Sequence, residues 1–161
     1  MTDDDARAAA DLWDHANDID GKIRDIAKRI TQASTVLAGH TGGNWQEGAR
    51  LVNEMGKTAK RSQKATKKLL SLAAKGAKKP KATDIADFIK NLKKSDKEIY
   101  PFDKAVSSFT IWKRKEEKEI KGALGHTNVD MIVIMKYVDM YIKYRSVFNT
   151  KLQSFQRRGK L

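Results

Sequence analysis

Apolar residues recur along this chain three and four positions apart, and the pattern divides it into long helices. Leu12, Ala16, Ile19, Ile23, Ile26, Ile30, Ala33 and Leu37 are spaced 4, 3, 4, 3, 4, 3 and 4. That heptad seam predicts one unbroken helix from about Asp4 to Ala38. Aspartates in its first turn suit the positive end of the helix dipole, and Gly39 supplies a stop. A second seam follows in Trp45, Gly48, Val52, Met55, Ala59, Ser62, Thr66, Leu69 and Ala73. It predicts a helix from Asn44 to about Ala77, with Asn44 and Glu47 in capping-box spacing and Pro80 ending it. Its small residues admit a close neighbour but bury little apolar area, so this helix is expected to be the least stable of the set.

The third segment keeps one helical phase through Ile85, Phe88, Ile89, Leu92, Ile99, Phe102, Val106 and Phe109. Ser95-Asp96-Lys97-Glu98 reads as a new cap, and Pro101 removes a donor. The expectation is a short helix over Asp84–Lys94, a break, and a second helix from Pro101 to about Ala123. From Thr127 to Phe155 the chain is apolar nearly all round, with only Lys136 and Asp139 charged between Met131 and Ile142. Such a helix is expected at the centre, with the more polar helices packed against it.

The fold class expected is therefore all-α: an up-down bundle of four long helices, the third broken near Pro101. The core candidates are Ile19, Ile23, Ile26, Ile30, Val52, Phe88, Leu92, Phe102, Phe109, Ile132, Met135 and Phe148. A chain of 161 residues suggests one domain. An echo between the turns Gly39-His40-Thr41 and Gly125-His126-Thr127 has two readings: a duplicated hairpin, over 4–77 and 84–158, or the chance result of a helix stop followed by a helix cap at both turns.

Cysteine is absent, so disulfides and thiolate metal sites are excluded. The acidic N-terminus has no apolar signal core, and no transmembrane segment follows, so a cytoplasmic location is expected, with signal-independent export as the alternative. The formal net charge is +13 and unevenly spread. Residues 3–25 hold eight aspartates against Arg7, Lys22 and Arg24. Residues 57–82 hold ten Lys or Arg and no acid. They are Lys57, Lys60, Arg61, Lys64, Lys67, Lys68, Lys75, Lys78, Lys79 and Lys81. Helical spacing over the first six would let them follow a polyanion by charge. The alternative is a solvated face neutralised by the aspartates of helix one, which antiparallel packing would bring close.

In an up-down bundle His40 and His126 would lie at one end, with Glu47 and Asp130 in the adjacent first turns. Two imidazoles and a carboxylate can hold a metal or work as an acid-base pair. No H-E-x-x-H spacing, nucleophile elbow or glycine-rich phosphate loop accompanies them, so neither a catalytic role nor a cofactor is assigned.

Residues 1–77, with Trp45 in a turn between two long helices, resemble the WXG-type helical hairpins exported by type VII secretion. Trp45-Gln46-Glu47-Gly48 departs from that motif by one extra residue, and the export tail of that family is not evident after helix two. No functional residue is carried over.

The expected function is a non-enzymatic interaction module whose basic surface binds an acidic protein or nucleic acid. A secreted or membrane-active effector that meets an anionic membrane surface is the alternative. A hydrolase or metal site at the His40/His126 end is third. The seam of helix one would also serve a homo-oligomer.

Overall fold

The computed structural model describes residues 3–39, 45–76, 82–116 and 129–157. Among these residues the chain is all-helical, with five helices and no strand. They are α1 (Asp3–Ala27), α2 (Ile30–Ala38), α3 (Trp45–Gly76), α4 (Ala82–Lys115) and α5 (Val129–Arg157). The turns carrying the Gly-His-Thr echo lie largely outside the described residues.

The heptad seam of the first segment faces inward as its spacing requires. Every member is buried except Ile30, which is half-buried against the core. The expected single helix is nonetheless two. At Lys28-Arg29 the chain tightens: Arg29 N–H donates to Ile26 O at 3.0 Å, one residue closer than the α pattern. Arg29 sits at φ −105° and ψ −3°. A seam of period 3.5 drifts by about 20° per heptad on a straight helix. A tighter turn winds the chain further per residue, in the sense that returns the seam inward.

The third segment departs in the opposite direction, with no break. α4 runs continuously through Pro101. Leu92, Ser95 and Ile99 before the proline and Phe102, Val106 and Phe109 after it share one phase, and all are buried. That burial outweighs the cost of about 3 kcal/mol for an interior proline. Pro101 and Lys97 are exposed, so the carbonyl that loses its partner faces water. Ser95 is not a cap; its Oγ lies 3.4 Å from the Ala65 carbonyl oxygen of α3.

Neighbouring helices run antiparallel. Asp20 and Ile30 of the first segment meet Thr66 and Gly56 of α3. Gly48 and Ala65 of α3 meet Trp112 and Ser95 of α4. Asp96, Asp103 and Lys113 of α4 meet Arg145 and Asp139 of α5. Lys151 and Tyr137 of α5 meet Asp11 and Lys22 of α1.

The central element is not the expected one. α3 packs closely on α1, α2 and α4, whereas α5 packs on α1 and stands further from α4. Ile132, expected in the core, is 45% exposed, as Ile142 is at 40%. Met135 is half-buried against the core. Ile19, Ile23, Ile26, Val52, Leu92, Phe102, Phe109 and Phe148 are buried as expected; the side chain of Phe88 lies outside the described residues.

Candidate polyanion-binding surface

The buried seam of α3 turns its opposite face to solvent. Lys57, Lys60, Arg61, Lys64, Lys67 and Lys68 are all exposed. None forms an ion pair with a described residue. The tail of the run, Lys78, Lys79 and Lys81 with the side chain of Lys75, lies outside the described residues.

Among the described side chains, no aspartate of α1 pairs with these cations; the side chains of Asp3, Asp4 and Asp5 lie outside them. Asp11 is 3.5 Å from His15 Nε2 and 3.3 Å from Lys151 Nζ. Asp25 accepts from Lys22 at 3.0 Å. Asp20, buried between α1 and α3, lies 3.0 Å from Arg24 and accepts the Thr66 hydroxyl at 2.5 Å. Antiparallel packing does place the acidic start of α1 beyond the Asp20–Thr66 contact, toward the C-terminal half of α3. The aspartates with described partners are nonetheless engaged by residues of α1, by α5 and by the Thr66 hydroxyl.

A second set of cations joins the stripe from α4. Lys90, Lys93, Lys94 and Lys97 are exposed and make no ion pair with a described residue. The Ala65–Ser95 contact places them beside the α3 run. Arg61, Lys64 and Lys68 lie within one turn of Ala65, as Lys94 and Lys97 do of Ser95. The signal was present in the sequence as a K-x-x-K-K-x-x-K spacing over 90–97. It was hidden because Asp87, Asp96 and Glu98 dilute the charge of the segment. Asp96 is withdrawn from that balance by Arg145, whose Nη2 donates to it at 2.6 Å.

The histidine end is not assembled among the described residues. His40, His126 and the side chain of Asp130 lie outside them. Glu47 is exposed and accepts both Nε and Nη2 of Arg50, at 2.9 and 2.5 Å. Those hydrogen bonds lower its pKa. Among the described residues no group of three His, Asp or Glu could hold a metal ion.

Trp45 and Gly48 have a structural role. Trp45 meets Trp112 edge-on, with ring centroids 6.3 Å apart. A Cβ added at Gly48 would overlap Trp112 at Cζ2, Cη2 and Cε2. The spacing of these two residues thus seats a tryptophan of α4.

The remaining polar cluster spans α4 and α5. Arg145, buried, donates to Asp103 through Nε at 3.0 Å and to Asp96 through Nη2. Tyr141 donates to Asp103 at 2.5 Å. Burial, and then the Asp103 charge, push the Tyr141 hydroxyl well above its ordinary value of 10.0. Burial opposes the charge of Arg145, but Asp103, Tyr141 and Asp96 together outweigh it and raise its pKa. The cluster joins two helices.

No protein-family model matches this chain, and no curated protein or solved structure compared with it matches either. Among the described residues no helix is long and apolar enough to cross a membrane.

Proposed function

We propose that this chain is a non-enzymatic interaction module, and that the adjoining faces of α3 and α4 bind a polyanion. In this reading α1 and α2 form one bent rod, and the molecule is an up-down bundle of four rods. The observation that supports it most is the set of exposed cations, without a described ion-pair partner, at 57–68 and 90–97 on two antiparallel neighbours. Side chains held on packed helices keep their spacing, so charge is presented along a line rather than scattered. Within a screening length of about 8 Å these cations act together. No aromatic residue interrupts the α3 run, so the recognition is of phosphate or carboxylate charge and not of bases.

The test uses a labelled DNA duplex and a polyglutamate chain at about 50 and about 200 mM salt. Lys60→Glu, Lys64→Glu and Lys67→Glu together should weaken binding at least tenfold and flatten the logarithmic salt slope by about three. Adding Lys94→Glu should weaken it further. Unchanged affinity in the triple variant would remove the α3 face from the interaction. The ligand that retains affinity at the higher salt identifies the partner as nucleic acid or acidic protein.

A further inference from the structure

A second surface, which meets the α3/α4 stripe at Lys93 and Lys97, lies along the seam between α4 and α5. α4 carries a complete heptad row on its outside. Lys93, Lys97, Tyr100, Lys104, Ser107 and Ile111 are spaced 4, 3, 4, 3 and 4, and every one is exposed. Tyr100 is 64% and Ile111 56% exposed. α5 carries a matching row. Ile132, Met135, Asp139, Ile142 and Ser146 are spaced 3, 4, 3 and 4; Met135 is half-buried and the rest are exposed. Such spacing is how a helix addresses another helix.

The two rows border the same seam. Tyr100 follows Asp96 and precedes Asp103, both of which reach Arg145 of α5. Ile142 follows Tyr141, which reaches Asp103. Lys113 reaches into the α5 row to Asp139 at 3.0 Å. α4 and α5 also stand further apart than the other adjacent helices. Large groups bridge them, including Phe102 against Tyr141 at 4.9 Å. The apolar members of the rows, Tyr100 and Ile111 on α4 and Ile132, Met135 and Ile142 on α5, flank a seam between helices set apart, the arrangement of a groove for one further helix.

We propose that this groove receives an acidic amphipathic helix from another protein. The charge balance of the seam selects the occupant. Its acids are already engaged: Asp96 and Asp103 by Arg145, and Asp139 by Lys113. The lysines at 93, 97 and 104 remain free of described partners, and Arg145 Nη1 is buried with none. The incoming helix therefore sets apolar residues on Tyr100, Ile111 and Ile142 and acids against the lysines of α4. A second copy does not meet that requirement. Its acidic helix α1 exposes Asp14, Asn17 and Asp18 without a large apolar neighbour on the surface. A nucleic-acid backbone has no use for isoleucines. The row from Lys93 to Ile111 accommodates a helix of about 18 residues, roughly 27 Å long.

The probe is a synthetic fluorescent peptide of that length, with leucines on one face and glutamates beside them. Its control is a permuted peptide of the same composition. Anisotropy on the full chain should show the amphipathic peptide binding at least about tenfold tighter than the permuted one. Ile111→Asp with Ile142→Asp should abolish that preference while leaving DNA binding intact. Lys60→Glu, Lys64→Glu and Lys67→Glu should do the reverse, which separates failure of this groove from failure of the stripe. Both isoleucines are exposed, so the double variant keeps the core. Equal binding of the two peptides, or full binding by the double variant, overturns the proposal. A wild-type dimer that the double variant converts to monomer in sedimentation overturns it in favour of a second copy. Loss of binding to phosphatidylglycerol vesicles in the double variant, with no peptide binding by either protein, overturns it in favour of a membrane surface.

Discussion

Helix α3 is lined with Gly48, Ala59, Ser62 and Ala65, while α5 presents Ile134, Val138, Tyr141 and Phe148 to the core and still has isoleucines left over. By apolar content α5 is the stronger helix. By packing α3 is the hub, close against three helices. The difference lies in what packing rewards. A small residue brings a neighbouring helix near, and many weak dispersion contacts follow along the line of approach. Trp112 fills the space over Gly48, and Ile30 reaches within 2.8 Å of where a Cβ on Gly56 would be. An all-round apolar helix can turn only one stripe to a core. With few neighbours, α5 leaves Ile132, Ile142 and Val147 in water.

The two helices are also joined to their surroundings by different means. α3 depends on shape. α5 depends partly on Arg145 and Tyr141, which bridge the wider gap to α4 through Asp103 and Asp96. Asp103→Ala should therefore give the largest loss. It leaves Arg145 buried with only Asp96, and about 3 kcal/mol is expected. Urea unfolding measures it; a loss below about 1 kcal/mol would mean that the seam is held by its aromatics alone.

A paired glycine test addresses α3. At Gly21 of α1 an added Cβ meets nothing within 4 Å, so Gly21→Ala should stabilise by up to about 1 kcal/mol. At Gly48 the same methyl collides with Trp112, and Gly48→Ala should cost about 1 to 2 kcal/mol despite the better helix propensity. Equal effects at the two sites would remove close approach as the reason for α3's position.

The smallest effect expected is that of Tyr141→Phe, about 1 kcal/mol for one hydrogen bond at neutral pH. Its pH dependence is more informative. The folded pKa of Tyr141 lies well above 10.0, so the folded state holds this proton more tightly than the unfolded chain does. The resulting stability is fully present below pH 10 and is lost as pH rises from there through the folded value. The difference between wild type and Tyr141→Phe should be flat to about pH 10 and shrink above it. A flat difference throughout would place the hydroxyl in water.

Much of the helical content was legible. The seams over Leu12–Leu37 and Trp45–Thr66 are buried almost residue for residue, because heptad spacing and burial are the same geometric fact. The continuity of the helices was not. Pro101 reads locally as a stop, yet the rows on either side of it are packed as one. Lys28-Arg29 carries no breaking residue, yet the turn tightens there to keep the seam facing inward. The α3 half of the candidate surface was visible as an uninterrupted charge run. The α4 half was not, because its lysines are mixed with Asp87, Asp96 and Glu98, and the partner that withdraws Asp96 lies on α5.

The sequence by itself determined which segments are helical, which stripe of each is apolar, and that α3 shows solvent an unbroken row of cations. These are local properties, set by spacing along one chain. Only the tertiary structure decided which helix is central, which acids are neutralised, and which apolar rows remain outside. Those depend on distance between helices. A glycine that admits a tryptophan, or an arginine that claims two aspartates, acts across that distance and leaves no periodic trace in the segment it controls.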